Sequence, residues 1–191
     1  MAKYSIIYAD PCWDYNGATQ HTDGDFKEGK SAIDHYKTLK LPELKKMNVA
    51  NLCEKDCLLF MWSSSPHLDQ AIDLMKTWGF QYKTIAFVWD KQKTNPGYYT
   101  LSSIEICIVG KRGKIPSPRG RRNIRQFISE LRTQHSKKPD GVRERIGQMF
   151  PTQKKLEMFA RQKCDGWDVF GNEVENSITI AQAPGALPQI P

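Results

Sequence analysis

The chain has 191 residues, a length typical of one domain, with 39% hydrophobic and 26% charged residues. This composition excludes a disordered or collagen-like chain, and no apolar run approaches the about 20 residues of a membrane helix, so we expect no membrane contact. Because 28 Lys and Arg outnumber 21 Asp and Glu, the formal net charge is +7, which favours a polyanionic partner.

Apolar runs and their periodicity predict strands and helices that alternate along the chain. In order, we predict a strand at 4–9, a helix at 42–52, a strand at 56–62, a helix that Ser65 caps and Gly79 ends, strands at 82–89 and 104–109, a helix at 139–150, and strands at 156–159 and 167–170. Surface loops are predicted at 14–40 and 91–100, and a flexible tail at 176–191 follows one domain at 1–175. This order is typical of an α/β fold whose largely parallel sheet binds ligands at the carboxyl ends of its strands.

Cysteine usage indicates a reducing compartment. The five cysteines form an odd set, and only Cys53 and Cys57 lie close together. A metal site would need two further ligands nearby, and none of the four histidines has a matching spacing. We therefore expect reduced thiols, no metal and a cytoplasmic location.

The motif Asp10-Pro11-Cys12-Trp13 follows the first predicted strand, where an α/β fold places its ligands. The exocyclic amine of a nucleobase is a poor nucleophile because its lone pair is delocalised into the ring, so an enzyme that methylates it must hold its N–H groups with acceptors. The Asp10 carboxylate and the Pro11 carbonyl can each accept one N–H, and Trp13 or Tyr15 can stack on a base rotated out of its helix. A capped turn with a packed tryptophan is the structural alternative.

Seven blocks of the sequence together resemble the MT-A type adenine-N6 methyltransferases, the family of the eukaryotic mRNA adenosine methylation enzyme and of many bacterial and phage DNA methyltransferases. The blocks are 8–13, 59–62, 89–91, 105 with 110–113, 135–140, 155–161 and 166–173. The resemblance implies a Rossmann-like methyltransferase fold, with a largely parallel twisted sheet flanked by helices, and transfer of a methyl group from S-adenosylmethionine to N6 of adenine. One departure is Cys12, which stands where the family has a second proline.

The resemblance also implies a set of residues that bind the cofactor S-adenosylmethionine. Lys138 is expected to pair with its carboxylate, Arg161, Asn172 and Glu173 with its ribose hydroxyls, and Asp10 to lie beside it. The structural alternatives are a solvated lysine and a polar strand end. The sequence contains no Gly-x-Gly-x-x-Gly, so a nicotinamide cofactor is not supported.

Residues 111–125 hold seven basic and no acidic residues. Such a run is usually a solvated face, but beside the strand ends of a base-methylating enzyme it is a candidate phosphate-binding loop. Lys91 and Lys93, with Tyr98 and Tyr99, are candidates for a second contact. The predicted nucleic-acid-binding residues are Lys91, Lys93, Lys111, Arg112, Arg119, Arg121, Arg122 and Arg125.

We expect DNA rather than RNA as the substrate, because the chain is similar to the compact bacterial and phage members and shows no zinc finger or other RNA-binding module. The resemblance also makes a homodimer in a bacterial or phage-infected cell the expected form. Three alternatives stay open at this point: a catalytically inactive nucleic-acid-binding partner subunit, an RNA adenine-N6 methyltransferase, and a cytosine-N4 methyltransferase, whose target amine poses the same geometric problem.

Overall fold

Seven strands form one sheet in the structure, a computed structural model that describes residues 3–13, 39–97, 99–132 and 137–181. The strands are β1 Tyr4–Ala9, β2 Cys53–Ser63, β3 Gln81–Asn95, β4 Ser102–Arg112, β5 Phe127–Ser129, β6 Lys155–Met158 and β7 Asp168–Phe170. The helices are α1 Leu41–Lys45, α2 Leu68–Thr77 and α3 Asp140–Met149, with 3₁₀ turns at Val49–Leu52 and Ser65–His67. The sheet order is β5-β3-β4-β2-β1-β6-β7.

Four of the six strand pairings are parallel, and only β4 runs against its neighbours, β2 and β3. The other six strands all end on one side of the sheet, the carboxyl edge, where Ala9, Ser63, Met158 and Phe170 are the last residues of their strands. This topology confirms the predicted α/β fold with a largely parallel sheet flanked by helices. It also brings the segments that follow β1, β6 and β7 side by side.

Each face of the sheet is covered by an apolar layer. Side chains alternate along a strand, so Ile7 and Leu59 belong to the core that packs on α1 and α2, whereas Ile6 and Phe60 belong to the core that packs on α3. All four side chains are buried. Burial on both faces accounts for the unbroken hydrophobic runs of β1 and β2. A sheet with one solvent-exposed face would show alternating polar and apolar residues instead.

The predicted helix at 42–52 is wrong in extent. Helix α1 ends at Lys45, and a separate 3₁₀ turn begins at Val49. Asn48 between them has a non-helical backbone, with φ −81° and ψ 63°, and its N–H donates to the carbonyl of Ala181. A partner more than 130 residues away in the chain therefore interrupts a helix that the local pattern favours.

Two further predictions of local structure are corrected. The segment 91–95, predicted as a loop, continues β3, and Asn95 pairs with Ser102 of β4. Ser65 is not a cap: it is the first residue of the 3₁₀ turn, and Ser64 occupies the cap position. Strand β5 was not predicted, because its three residues are too few to show a period.

Residues 176–181, which the sequence assigns to the tail, contact the sheet. The N–H of Gly171 donates to Oδ1 of Asn176 at 2.7 Å, and the N–H of Ser177 donates to the carbonyl of Val169 at 2.8 Å. Residues 14–38 of the predicted loop 14–40 and the end of the tail, 182–191, lie outside the described residues, and the boundary at 175 stays a prediction. Among the described residues, no helix is long and apolar enough to cross a membrane.

Gly110 of β4 provides a test of how α2 packs on the sheet. A Cβ at this position would meet Sδ of Met75 and lie 3.1 Å from Cβ of Phe80. We expect Gly110→Val to lower the free energy of unfolding by about 1–3 kcal/mol, because α2 cannot move away without exposing its buried face. Urea unfolding followed by circular dichroism measures this, and an unchanged midpoint would contradict the packing described here.

Candidate active site

A polar pocket opens at the carboxyl edge, where the segments after β1, β6 and β7 meet the start of α3. Its described lining residues are Tyr8, Asp10, Lys137, Lys138, Pro139, Asp140, Arg143, Glu157, Phe159, Arg161, Gln162 and Glu173. The lining includes four of the residues predicted to act on cofactor or substrate: Asp10, Lys138, Arg161 and Glu173. The topology of the sheet, rather than proximity in sequence, brings them together.

The centre of the pocket is an ion pair between Asp10 and Lys138. Nζ of Lys138 lies 2.8 Å from both carboxylate oxygens of Asp10 and 3.3 Å from Oε2 of Glu105. It also lies 5.8 Å from the ring centroid of the fully buried Trp62. The Lys138 side chain is 11% exposed, so its charge needs these partners to offset the loss of water.

Burial and pairing shift the pKa values of both partners. Burial raises the pKa of the Asp10 carboxyl above its ordinary value, and the positive charge of Lys138 opposes this shift. Burial lowers the pKa of Lys138, but the carboxylates of Asp10 and Glu105 raise it by more, so that its net pKa lies above that of a free lysine. Lys138 is therefore protonated at neutral pH.

The motif after β1 is folded into a tight turn. The N–H of Trp13 donates to the carbonyl of Pro11 at 2.9 Å, which leaves this oxygen one lone pair for another donor. Trp13 is 6% exposed, and its ring stacks on His67 with the centroids 6.0 Å apart. It lies in the core rather than in the pocket lining, and Tyr15, the other predicted stacking residue, lies outside the described residues.

The thiol of Cys12, the departure from the family motif, has a raised pKa. Burial first, and the nearby Asp10 carboxylate second, raise the pKa of its thiol to about 11. The thiol is therefore protonated at neutral pH, and only the thiolate would attack an electrophile. The carbonyl of Cys12 accepts the N–H of Leu39 at 3.1 Å, a backbone contact that a proline at this position could also make.

The second half of the pocket is held by the loops after β6 and β7. Nε of Arg161 lies 3.1 Å from Oε1 of Glu173, and Asn172 beside it is exposed. Gly171 permits this arrangement, because a Cβ there would overlap the backbone of Ala160. Phe159, which lines the pocket, has a φ of +62°, a strained value for an aromatic residue and one that is common at functional sites.

A second cluster of charges lines the pocket, and sequence reasoning missed it. The guanidinium of Arg143 contacts Glu157 and Asp140, both at 2.8 Å, and Lys137 contacts Asp140 at 2.8 Å. Asp140 and Glu157 stand inside the blocks that carry the family resemblance, which was the available signal. The signal for Arg143 was weaker: it is an arginine on the otherwise apolar buried face of α3.

The structure does not support Lys91 as a nucleic-acid-binding residue. It is 5% exposed, and its ammonium lies 3.5 Å from Oε1 of Glu105. A lysine buried and paired in this way cannot reach a phosphate. Lys93, two residues further along β3, is exposed at the carboxyl edge, and Tyr98 lies outside the described residues.

The predicted position of the basic segment beside the active site is also wrong. Lys111 and Arg112, the last residues of β4, pair with Leu58 and Cys57 in the middle of β2, and the chain beyond them continues toward the opposite edge of the sheet. The guanidinium of Arg112 donates to the carbonyl of Ala50 at 2.9 Å, a structural contact. The chain then passes the C-terminal end of α3, where the backbone N–H groups of Gly120 and Arg121 donate to the carbonyls of Met149 and Gln148. The sequence shows a run of charge but not the edge on which it lies.

Other basic residues of that segment are exposed to solvent or only partly buried. Arg122 and Arg125 are exposed. Arg119 is partly buried, with its guanidinium carbon 5.4 Å from the ring centroid of Phe150. Within the described part of the chain, no group of three or more His, Cys, Asp or Glu is placed to hold a metal ion.

Comparison with known proteins identifies the family. The MT-A70 family model matches residues 4–173. The chain belongs to the MT-A70 family. This confirms the resemblance found in the sequence, since the matched region contains every block that carries it.

Individual relatives differ in how much of their length matches. The chain is 48% identical over 189 residues to the Type II methyltransferase M.MunI of Mycoplasma sp, an alignment that covers 93% of this chain and 81% of that protein. It is 28% identical to a putative N(6)-adenosine-methyltransferase MT-A70-like protein of Medicago truncatula and 26% identical to an N(6)-adenosine-methyltransferase MT-A70-like protein of Arabidopsis thaliana. Each alignment covers 91% of this chain but only 27% and 24% of the plant proteins.

Gly171 offers a test of the second half of the pocket. We expect Gly171→Ala to weaken the binding of S-adenosylmethionine about tenfold or more, because the added methyl group pushes the loop of Asn172 and Glu173 away from Arg161; tenfold corresponds to about 1.4 kcal/mol. Isothermal titration calorimetry measures this. Gly147→Ala is the matched control: nothing lies within 4 Å of a Cβ there, and in α3 the change should be neutral or slightly stabilising. Equal affinities of the two variants would contradict the role of Gly171.

Proposed function

We propose that this protein transfers the methyl group of S-adenosylmethionine to N6 of adenine in DNA. The observation that carries the proposal is the Asp10–Lys138 ion pair in a pocket at the carboxyl edge of an MT-A70 fold. Asp10 belongs to the motif expected to hold the amine, and Lys138 to the set expected to hold the cofactor. One contact therefore joins the two halves of the proposed reaction.

The polar groups of the pocket fit S-adenosylmethionine. The cofactor has a carboxylate, an ammonium, a ribose diol and a sulfonium, and the lining offers the cations Lys138 and Arg161 beside the carboxylates of Asp10 and Glu173. Lys138 would bind its carboxylate, while Arg161, Glu173 and Asn172 would bind its ribose. When bound, the cofactor supplies an electrophilic methyl group whose bond to sulfur breaks as the bond to N6 forms.

The residues of the motif would hold the substrate amine. The Asp10 carboxylate and the free lone pair of the Pro11 carbonyl each accept one N–H of N6, which orients the nitrogen lone pair toward the methyl group. As the new bond forms, N6 becomes acidic and its proton moves to Asp10 or to water. Trp13, stacked on His67, stabilises the turn after β1. Its stacking on a base would require this turn to rearrange.

Substrate class follows from the relatives. The higher identity to the Mycoplasma Type II methyltransferase, and the larger share of that protein covered, support DNA over the adenosine substrates named for the plant relatives. The exposed Lys93, at the carboxyl edge, is proposed to contact a phosphate near the target base. The exposed Arg122 and Arg125, away from that edge, are proposed to contact phosphates farther from it. The homodimer and the cytoplasmic location belong to this proposal, and light scattering of the purified chain tests the first.

The substitution Asp10→Asn tests the catalytic assignment. The variant keeps the shape of the side chain and one acceptor oxygen, but it loses the negative charge and replaces the second oxygen with an NH2 donor, so methylation should fall about a hundredfold or more. Cofactor binding, measured by calorimetry, should survive, because Lys138 keeps Glu105 as a partner. The assay uses labelled S-adenosylmethionine with single- and double-stranded DNA and RNA, and Glu144→Gln on the exposed face of α3 is the control.

Each result of this assay decides between named functions. Wild-type activity with N6-methyladenine as the product supports the proposal, and full activity of Asp10→Asn would remove Asp10 from it. Methylcytosine as the sole product, or activity on RNA alone, would establish one of the other two enzymes. Cofactor binding without any methylation would indicate an inactive subunit.

The pH dependence of methylation should show the raised pKa of Asp10. The carboxylate accepts N–H only when it is ionised, so activity is kept above its pKa and lost as the pH falls through it. Because burial raises this pKa, the acid limb of kcat/KM should lie at a higher pH than an exposed aspartate would give. A profile that stays flat down to the ordinary aspartate range would contradict the assignment.

A further inference from the structure

Four charged side chains of alternating sign form a chain that starts at the proposed catalytic residue. Asp10 contacts Lys138 at 2.8 Å, Lys138 contacts Glu105 at 3.3 Å, and Glu105 contacts Lys91 at 3.5 Å. They come from four separate segments: the end of β1, the start of α3, β4 and β3. Neither Glu105 nor Lys91 appears in the pocket lining, so these two act on the reaction through the charges of Lys138 and Asp10 rather than by touching a ligand.

The chain of charges is poorly hydrated. The side chains of Lys91, Lys138 and Glu105 are 6%, 11% and 20% exposed, and that of Asp10 is 29% exposed. Trp62 lies under Lys138, and the buried Trp89 packs against Trp62 with the ring centroids 6.3 Å apart. In such surroundings charges interact more strongly than in water, so a change in one of them affects its neighbours.

The backbone of β3 holds Lys91 in its place. Gln92, the next residue, has a φ of +52°, which is strained for a residue other than glycine. Its backbone N–H donates to Oδ1 of Asp90 at 3.1 Å, and its side-chain amide donates to Oγ of Ser129 at 3.1 Å. The carbonyl of Lys91 accepts the N–H of Arg132 at 3.2 Å. Strain that is held by several neighbouring contacts is typical of positions where the direction of a side chain matters.

We infer that Glu105 and Lys91 are positioning residues: together they set how tightly Lys138 holds Asp10, and so how readily Asp10 accepts the N–H groups of the substrate amine. The inference rests on the proposed function. Glu105 competes with Asp10 for the ammonium of Lys138, and Lys91 reduces that competition by neutralising Glu105. Asp10 can then remain ionised without being locked to Lys138.

The two residues should act on Asp10 in opposite directions. The charged and titratable groups that face Asp10 are Lys138, Arg161, Glu105, Glu157, Tyr8, Cys12 and Cys107. Removing the charge of Glu105 removes a negative neighbour of Asp10 and ends the competition for the ammonium of Lys138. The pKa of Asp10 should therefore fall. Removing the charge of Lys91 leaves Glu105 without that neutralising charge, so Glu105 binds Lys138 more strongly and weakens the contact between Lys138 and Asp10. The pKa of Asp10 should therefore rise.

The experiment compares Glu105→Gln, Lys91→Met and the double variant with the wild type. The Asp10 carboxyl is titrated by NMR in protein labelled with ¹³C at aspartate carboxyls, with Asp10→Asn used to assign the signal. We expect Glu105→Gln to move the midpoint down, and Lys91→Met to move it up, by about half a pH unit or more. In the Glu105→Gln background, Lys91→Met should have little further effect, because its path to Asp10 runs through Glu105.

Two controls separate this effect from general damage to the fold. Lys91→Arg keeps the charge and should restore the wild-type midpoint, whereas Lys93→Met removes an exposed charge nearby on β3 and should leave the NMR midpoint unchanged. If Lys91→Met does not fold, Lys91→Gln replaces it. The acid limbs of the kcat/KM profiles should move in the same directions as the NMR midpoints, which a merely structural role would not cause.

Shifts of the same sign in both single variants, no shift in either, or an undiminished effect of Lys91→Met in the Glu105→Gln background would each overturn the inference. The NMR titration needs no substrate, so it is independent of the proposed reaction. Opposite midpoint shifts in a protein that methylates nothing would refute the proposed function and the catalytic meaning of the charges. Methylation by the wild type without opposite shifts would refute only the inference.

Discussion

The contact between Asp10 and Lys138 holds the candidate active site together, and it depends in turn on the rest of the fold. These residues are 128 positions apart in the chain, and each follows or precedes a secondary-structure element that fixes its direction. Both charges have lost much of their water, so each needs a partner of opposite charge to offset that loss. The ion pair therefore requires β1, α3 and the sheet between them to be in place, and it exists only in the folded protein.

Strain and close packing concentrate around this contact. Phe159 in the pocket lining and Gln92 beside Lys91 have positive φ values, and Gly171 allows the loop after β7 to touch the backbone of Ala160. The two positive φ values carry a conformational cost, and Gly171 is needed because a Cβ there would overlap the backbone of Ala160. A rigid sheet with apolar layers on both faces can hold such positions, because its core supplies the stability that the edge does not.

The charge of the protein is divided between two roles that composition cannot separate. Lys91, Lys138 and Arg143 lie inside the protein, each paired with carboxylates, and shape the electrostatics of the pocket. Arg122 and Arg125 are exposed and available to a polyanion. Counting basic residues along the chain treats all five alike. Only burial and the identity of the neighbours show which charge faces solvent and which serves another side chain.

The sequence by itself determined the α/β class, β1 to the residue, the extent of α3 to within one residue at each end, and the motif that carries Asp10, because hydrophobic runs and local motifs are written in consecutive residues. It did not place Lys91 or Glu105 in the charge network, nor the basic segment on the far edge. Those positions depend on which strands are neighbours and which run antiparallel, and β4, inserted against the direction of the others, decides both. Contacts between segments far apart in the chain leave no local pattern, so only the tertiary structure could decide them.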